Sequence, residues 1–178
     1  MELVKAKFKQ TEVGLIPIDW EVSTIEDVAK VVGGGTPSTT ISDYWKGNIE
    51  WFTPTEISHV KYSSSSIRKI SIEGFNNSSA QILPIGTILM TTRASIGDMS
   101  ILLNEATTNQ GFQSLIAKER IYNEFLYYLM LTKKGELLKN ASGSTFLEIS
   151  PKKVKAIYIP IPPNIHEQKA IATALSDV

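Results

Sequence analysis

The chain has 178 residues, of which 42% are hydrophobic and 20% are charged. These proportions are ordinary for a globular domain with a substantial core, and no apolar run reaches the ~18 residues that span a bilayer. The absence of cysteine excludes disulfides and thiolate metal sites, and the N-terminus lacks the apolar stretch of a signal peptide. We therefore expect a cytoplasmic protein with no membrane partner.

The formal net charge is zero, but the charges are distributed unevenly. Residues 1–60 hold five Lys or Arg and nine Asp or Glu, whereas residues 61–100 hold four and two, and residues 101–178 hold nine and seven. Phosphate binding requires a local basic face rather than a basic protein. The overall charge therefore neither indicates nor excludes a nucleic-acid ligand.

Short elements are predicted in the first half of the chain. Thr24 is expected to cap a helical turn at residues 25–27, which leads into a strand at residues 28–32. A second strand is expected at residues 49–53. The polar residues 61–81 are typical of an exposed loop or of the flank of a short helix.

Three apolar strands follow, at residues 87–91, 99–103 and 112–116, and their close spacing favours antiparallel pairing. Asn123 is then expected to cap a helix over residues 124–139, because apolar residues recur there at helical spacing. The predicted fold class is α+β, with a strand-rich N-terminal part and a mixed α/β C-terminal part.

The C-terminal region is predicted to alternate helix and strand. Ser150 and Pro151 suit the cap and first position of a short helical turn. Residues 154–159 read as a buried strand, which the prolines that follow would stop from pairing further. Asn164 is expected to cap the last helix.

The last helix is predicted to serve assembly rather than the core. Ile171, Ala174 and Leu175 form a narrow apolar stripe, which suits a helix–helix seam. We therefore expect a recognition unit at residues 1–163 and the start of a spacer or dimerisation helix at residues 164–178.

Several segments partly match the motifs of enzymes, but each match is incomplete. The glycines at residues 33–35 lack the Gly-Lys-Ser/Thr ending of a phosphate loop, so a flexible turn is expected there. Glu167 has no partner aspartate for a nuclease metal site and suits the start of a helix. The Pro-Pro pair at residues 162–163 lacks the flanking residues of amino-methyltransferases, and His59 and His166 have no metal-ligand neighbours. We expect no catalytic residue and no metal ligand.

Five short segments, in one order, carry a family resemblance. They lie at residues 14–22, 34–51, 85–97, 108–112 and 143–172. The second reads Gly-Gly-Thr-Pro-Ser followed by Tyr-Trp and a further Trp, and the last passes through a proline run into a helix. Together they resemble the target recognition domain of the specificity subunit of Type I restriction–modification systems.

This resemblance implies a fold like that of DNA methylase specificity domains and a function in reading double-stranded DNA. Such a subunit carries two recognition domains joined by conserved helices, and each domain reads one half of a split sequence. Its partners are the modification (methyltransferase) subunits and the restriction subunit, which would hold the S-adenosylmethionine, ATP and magnesium. The second recognition domain, or a second copy of this chain, would pair through the C-terminal helix.

Two alternatives remain open. The chain would also suit the recognition domain of a fused restriction–methylation enzyme, whose catalytic motifs lie elsewhere. It would also suit a protein-interaction module that has the fold but does not bind DNA.

The candidate DNA contacts are cations, amides and hydroxyls at strand ends or in loops. An arginine can fork onto a guanine edge or a phosphate, and amides can pair with adenine. Arg93 and Gln110 lie in segments shared with the family, which favours structural or phosphate roles, whereas base reading is expected mainly within residues 56–81. Trp45 and Trp51 are expected to be packing anchors. The full set of candidates is Lys61, Arg68, Lys69, Thr91, Thr92, Arg93, Asn109, Gln110, Ser144 and Thr145.

Overall fold

The computed structural model describes residues 7–143 and 147–177, in which short strands precede the longer helices. Apart from one C-terminal strand, the strands of these residues end by Ala117, and the longer helices begin at Asn123. The predicted α+β class is confirmed. No helix within the described ranges is both long and apolar enough to cross a membrane.

A five-stranded sheet forms the centre of the molecule. Its strand β8 (Ile88–Met90) pairs antiparallel with β11 (Gln113–Ala117) and with β9 (Met99–Leu102). Strand β11 also pairs antiparallel with β4 (Ala29–Gly33), and β6 (Tyr62–Ser63) lies parallel to β9 at one edge. Both faces of β8 and β9 are buried, so these two strands carry the core. In spatial order the strands are β4 (Ala29–Gly33), β11 (Gln113–Ala117), β8 (Ile88–Met90), β9 (Met99–Leu102) and β6 (Tyr62–Ser63).

A smaller sheet lies beside the central one. Strand β5 (Ile49–Phe52) is parallel to β10 (Thr107–Thr108) and antiparallel to β7 (Arg68–Ile70). Residues 61–81 therefore contain strands β6 and β7 as well as helix α2 (Ile72–Asn76), and are more ordered than a polar loop. The serines of this segment serve as local caps and backbone partners, which is why its composition resembles that of a loop.

The N-terminal elements are a hairpin and a paired ribbon. Strands β1 (Phe8–Thr11) and β2 (Gly14–Pro17) form a two-stranded sheet, with no other partner strand among the described residues. Strand β3 (Glu21–Thr24) leads into helix α1 (Ile25–Val28), which Thr24 caps in a capping box with Asp27. The predicted cap is confirmed.

The single helix predicted over residues 124–139 is two helices. Helix α3 (Asn123–Thr132) ends at Lys133, and helix α4 (Lys134–Asn140) follows directly. The break lets Leu137 reach the core, where it is fully buried beside Gly97. Asn123 is not the cap, because its Nδ2 donates to the carbonyl of Gly86 at 2.9 Å.

The strand predicted at residues 154–159 is wrong in its bounds. Val154 completes helix α5 (Pro151–Lys155), which Ser150 caps as predicted. The strand itself, β12 (Tyr158–Ile161), includes Pro160 and pairs with β3. A proline is accommodated because this two-stranded ribbon leaves one side of β12 without a neighbour, where the missing N–H is not needed.

Helix α6 (Ile165–Ser176) begins at the predicted cap, Asn164, and packs onto the body through Gln168 and Ala172. Gln168 is fully buried; its Nε2 donates to the carbonyls of Arg120 (3.0 Å) and Pro162 (2.9 Å). Its Oε1 accepts from the backbone N–H of Tyr122 at 2.8 Å. The expectation that this helix lies outside the core is therefore wrong for its first two turns.

The apolar stripe predicted on α6 is divided between two environments. Ile171 packs against the core, while Ala174 and Leu175 are exposed. The assignment of a boundary between residues 163 and 164 stays a prediction.

Candidate nucleic-acid interface

The glycine-rich loop after β4 is tightly packed between the two sheets. A Cβ atom at Gly34 would collide with Asn109 and Thr108, and one at Gly35 would collide with Ser79 and Ala80. The backbone N–H of Gly35 also donates to the carbonyl of Thr108 at 2.9 Å. The prediction of a flexible turn is wrong, because the glycines are needed for close approach. The chain that follows is exposed at residues 38–40.

A tryptophan pair supports this loop and holds an arginine. The Nε1 of Trp51 donates to the carbonyl of Gly35 at 2.9 Å, and that of Trp45 donates to the carbonyl of Ser38 at 3.1 Å. The two rings meet edge to face, with centroids 4.8 Å apart. The guanidinium carbon of Arg68 lies 3.5 Å from the centroid of Trp45 and 5.2 Å from that of Trp51. Trp51 is a buried packing anchor, as predicted, whereas half-buried Trp45 also serves as a platform.

Lys69 forms a salt bridge beneath this platform. Its Nζ lies 2.6 Å from Oε1 of Glu50, and Oε2 of the same carboxylate accepts from the backbone N–H and hydroxyl of Ser66. Burial raises the pKa of Glu50, but the hydrogen bonds from Lys69 and Ser66 lower it by more, so it lies below its usual value. Lys69 is therefore engaged with a charged carboxylate.

Lys61 lies among the helices, away from the tryptophans. Its Nζ donates to Oε2 of Glu124 at 3.0 Å and to the hydroxyl of Ser176 at 2.7 Å. It also lies 4.9 Å from the ring centroid of Tyr62 and 4.8 Å from that of Tyr128. Burial lowers the pKa of Lys61, but its hydrogen-bond partners and the charge of Glu124 raise it well above the usual range. Lys61 therefore ties α6 to the domain.

Thr91 and Thr92 are fully buried at the end of β8. The hydroxyl of Thr91 donates to the carbonyl of Ser95 at 2.5 Å, and that of Thr92 donates to the carbonyl of Gly111 at 3.2 Å. Both groups serve the backbone and do not reach the surface. This geometry contradicts the DNA contacts predicted for the two threonines.

Arg93, the next residue, reaches the surface. Its Nε lies 2.9 Å from Oε1 of Glu148, and both side chains remain substantially exposed. Ala94 has a positive φ of 57°, which turns the chain sharply after the arginine. A phosphate approaching Arg93 would compete with this carboxylate.

The two candidate amides occupy the turn before β11. The side-chain oxygen of Asn109 accepts from the backbone N–H of Gly111 at 2.8 Å, which fixes the turn. Gln110 is exposed, and its Oε1 accepts from the hydroxyl of Thr36 at 2.5 Å. The amide nitrogen of Gln110 donates no hydrogen bond to the described residues. The other two candidates, Ser144 and Thr145, lie outside the described residues.

Contacts join several of these side chains into one surface. Trp45 holds the loop at Ser38, Thr36 in the same loop contacts Gln110, and the carbonyl of Gly111 accepts from the backbone N–H of Thr92, beside Arg93. Sequence reasoning missed Thr36, since its contact with Gln110 spans 74 positions and leaves no local pattern. We call this surface the rim and define it as Thr36, Trp45, Arg68, Arg93 and Gln110.

Residues 17–178 match the family described as Type I restriction modification DNA specificity domain. The chain belongs to this family. Over 176 residues it is 45% identical to the Type I restriction enzyme MjaIX specificity subunit of Methanocaldococcus jannaschii, which covers 97% of this chain and 40% of the relative. It is 30% identical to the EcoR124I/EcoR124II specificity subunit of Escherichia coli, over 94% of this chain and 41% of the relative. This specificity domain thus spans about two fifths of the length of these relatives.

Solved structures support the fold of the specificity domain. It superposes on a chain from a structure of the type I R-M system with a TM-score of 0.74 and 22% identity, covering 91% of this chain and 38% of the other. The HsdS subunit from Thermoanaerobacter tengcongensis gives a TM-score of 0.72 and 20% identity, covering 96% of this chain and 39% of the other. The family resemblance found in the sequence is confirmed.

No three His, Asp or Glu side chains converge on a possible metal position in the part of the specificity domain that the structure describes. The polar groups gathered on the rim are instead an arginine fork, an amide and a hydroxyl. These are donors and acceptors suited to base edges and phosphates.

Proposed function

We propose that this chain is one target recognition domain of a Type I specificity subunit and binds double-stranded DNA at one half of a bipartite sequence. The observation that carries the proposal is its membership of the DNA specificity domain family over residues 17–178. The relatives named as specificity subunits are more than twice as long, which suits two such domains in one subunit.

The rim is the surface that this proposal assigns to DNA. Arg68 and Arg93 supply positive charge, while Gln110 and Thr36 supply a neutral donor and acceptor pair. Protein–DNA interfaces combine charged contacts to phosphates with such polar contacts to base edges. The zero net charge of the whole chain is compatible with this assignment, because only the contact surface needs to be complementary.

In this proposal the domain performs no chemistry. Modification and restriction subunits would bind S-adenosylmethionine, ATP and magnesium, and the domain would direct them to DNA in the cytoplasm. The exposed face of α6, with Ala174 and Leu175, would pair with a second recognition domain or a second copy. When this chain alone is incubated with DNA and labelled S-adenosylmethionine, we expect no transfer of methyl groups, and transfer without any partner would contradict the assignment.

A domain exchange tests DNA recognition directly. Residues 17–163 would be replaced by the matching residues of a relative in an intact subunit, expressed with its modification subunits. The methylated sequence of the host genome would then be read before and after the exchange. We expect one half of the methylated sequence to change and the other half to stay constant. An unchanged sequence, or the lack of a bipartite sequence, would overturn the proposal.

A further inference from the structure

Arg68 differs from the other two arginines in the chain. Arg93 forms a salt bridge from its Nε to Oε1 of Glu148 at 2.9 Å. Arg120 forms one from its Nη2 to Oε2 of Glu21 at 2.7 Å. Arg68 forms no ion pair with any carboxylate among the described residues, and its side chain is exposed on the rim. Its guanidinium is held by an aromatic surface instead of a counter-charge.

The stack determines which parts of Arg68 remain free. With the guanidinium carbon 3.5 Å from the centroid of Trp45, the two planar groups can only lie nearly parallel. One face of the guanidinium is then covered and Trp51 lies at 5.2 Å on another side, while the exposed part of its edge carries N–H groups in one plane. A planar fork of this kind matches the two acceptors of a guanine edge or two phosphate oxygens.

The platform is fixed on both sides of Arg68. The carbonyl oxygen of Arg68 lies 2.6 Å from the hydroxyl oxygen of Ser66, and the Arg68 backbone pairs with Trp51 in the sheet. Trp45 and Trp51 are themselves bonded to the glycine-rich loop. The fork is therefore positioned before any ligand arrives, so less side-chain freedom is lost on binding.

The surroundings of Arg68 favour a base edge over a phosphate. The neighbouring Lys69 is neutralised by Glu50, and Glu56 accepts from the backbone N–H of Ile67 at 2.6 Å. The adjacent cation is therefore paired and adds no unneutralised charge beside Arg68 to attract a phosphate. Ile67, the residue before Arg68, is 85% exposed, and an exposed apolar side chain in the same segment suits contact with bases, where thymine presents a methyl group.

We propose that Arg68 is a specificity-determining residue that donates two hydrogen bonds to O6 and N7 of one guanine in the half-site. Trp45 is its positioning residue. This inference rests on the proposed function, because it takes double-stranded DNA to be the ligand. It assigns to one side chain the reading of one base pair.

The test uses the intact subunit, assembled with its modification subunits, and the variants Arg68→Ala and Arg68→Lys. Arg68→Lys keeps the charge but loses the fork. Binding would be measured against the wild-type half-site and against duplexes changed at one position at a time, and the methylated genome sequence would be read in parallel. Arg120→Ala, which removes an exposed arginine held by Glu21 outside the rim, is the matched control.

For both variants at position 68 we expect the preference for guanine at one position to fall by roughly 5- to 150-fold, which is the range for a bidentate base contact. The other positions and the salt dependence should stay unchanged. Trp45→Ala should reduce the same preference by less, because the fork remains but loses its platform. Arg120→Ala should leave every position unchanged.

Three results would overturn the inference. Equal weakening on all duplexes, with a salt slope reduced by about 0.9, would show a phosphate contact. Unchanged discrimination by both variants would place Arg68 away from the bases, as would a wild-type half-site without a G·C pair. If the wild-type complex shows no bipartite sequence at all, the proposed function itself fails, which is a distinct outcome. Arg68→Lys keeps the inference testable should Arg68→Ala fail to assemble.

Discussion

Lys61 and Arg68, near the two ends of residues 61–69, differ in how far the protein itself occupies their donor groups. Lys61 is surrounded by a carboxylate, two tyrosine rings and a hydroxyl from α6, so its hydrogen bonds are used within the protein. Arg68 lies on a tryptophan and leaves the edge of its guanidinium to solvent. The partners of each cation, more than its charge, therefore determine whether it stabilises the domain or is available to a ligand.

The same contrast separates two regions of the molecule. Around Lys61, α6 is bound to the body by Gln168, Ala172 and Ser176. Around Arg68, the aromatic pair supports an exposed cation that forms no ion pair among the described residues. The first region fixes α6 to the body of the domain, and the second is the surface that we propose for DNA. The following substitutions test this division.

The largest effect is expected at Gln168. Replacing it with alanine would leave the backbone N–H of Tyr122 and two carbonyls without their partner in a buried site. We expect a loss of about 3 kcal/mol in the free energy of unfolding, which corresponds to a fall of about 6–12 °C in melting temperature. Circular dichroism would measure both. Lys169→Ala, an exposed change on the same helix, should shift stability by less than about 0.5 kcal/mol. Similar melting curves for both variants would show that α6 is not part of the core.

The next largest effect is the difference in stability between the variants Lys61→Met and Arg68→Met. Losing Lys61 leaves Glu124 partly buried with only Tyr62 as a partner, so we expect a destabilisation of about 1–2 kcal/mol. Losing Arg68 removes an exposed stack, so we expect a loss of less than about 1 kcal/mol. Urea denaturation of the two variants measures the difference. Equal losses, or a larger loss at Arg68, would reverse the roles assigned to the two cations.

Local signals in the sequence predicted local features of this fold. Thr24, Ser150 and Asn164 each cap the helix expected of them, because a cap depends only on the next three residues. The break at Lys133 was missed because it is set by the burial of Leu137 against a distant loop. Propensity within one segment contains no information about such a contact.

The candidate surface was predictable in its residue types and only partly in its members. Thr91 and Thr92 lie at the end of an apolar strand, as expected, but their hydroxyls bond to carbonyls that the fold brings in from Ser95 and Gly111. Arg68 was a candidate by its charge, whereas its platform on Trp45 arises from pairing between strands. The distinction between a structural and an available polar group depends on such tertiary partners.

A smaller effect is expected in the salt dependence of DNA binding by the assembled complex. Three phosphate contacts at Lys61, Arg68 and Lys69 would together contribute about 2.7 to the slope of log affinity against log salt. Two of these cations are paired within the domain, and the third is assigned to a base. We therefore expect the triple alanine variant to change the slope by less than about 1. A change near 2.7 would show that both ends of the segment contact phosphates.

The smallest effect is a pH dependence at the Lys61 end. Burial raises the pKa of Glu124, but the hydrogen bonds from Tyr62 and Lys61 lower it by more, so in the folded protein it lies below the ordinary value of 4.5. A carboxyl group whose pKa is lowered by folding adds stability above its unfolded pKa, and this stability is lost as the pH falls through the folded pKa. The stability difference between wild type and Lys61→Met should therefore be complete at neutral pH and should shrink below about pH 4.5. Arg68 has no such carboxylate partner among the described residues. The difference in unfolding free energy between wild type and Arg68→Met should therefore stay constant over that range. Urea denaturation at a series of pH values would measure both stability differences. If the difference between wild type and Lys61→Met stayed the same in acid, Lys61 would stabilise the domain independently of the charge of Glu124.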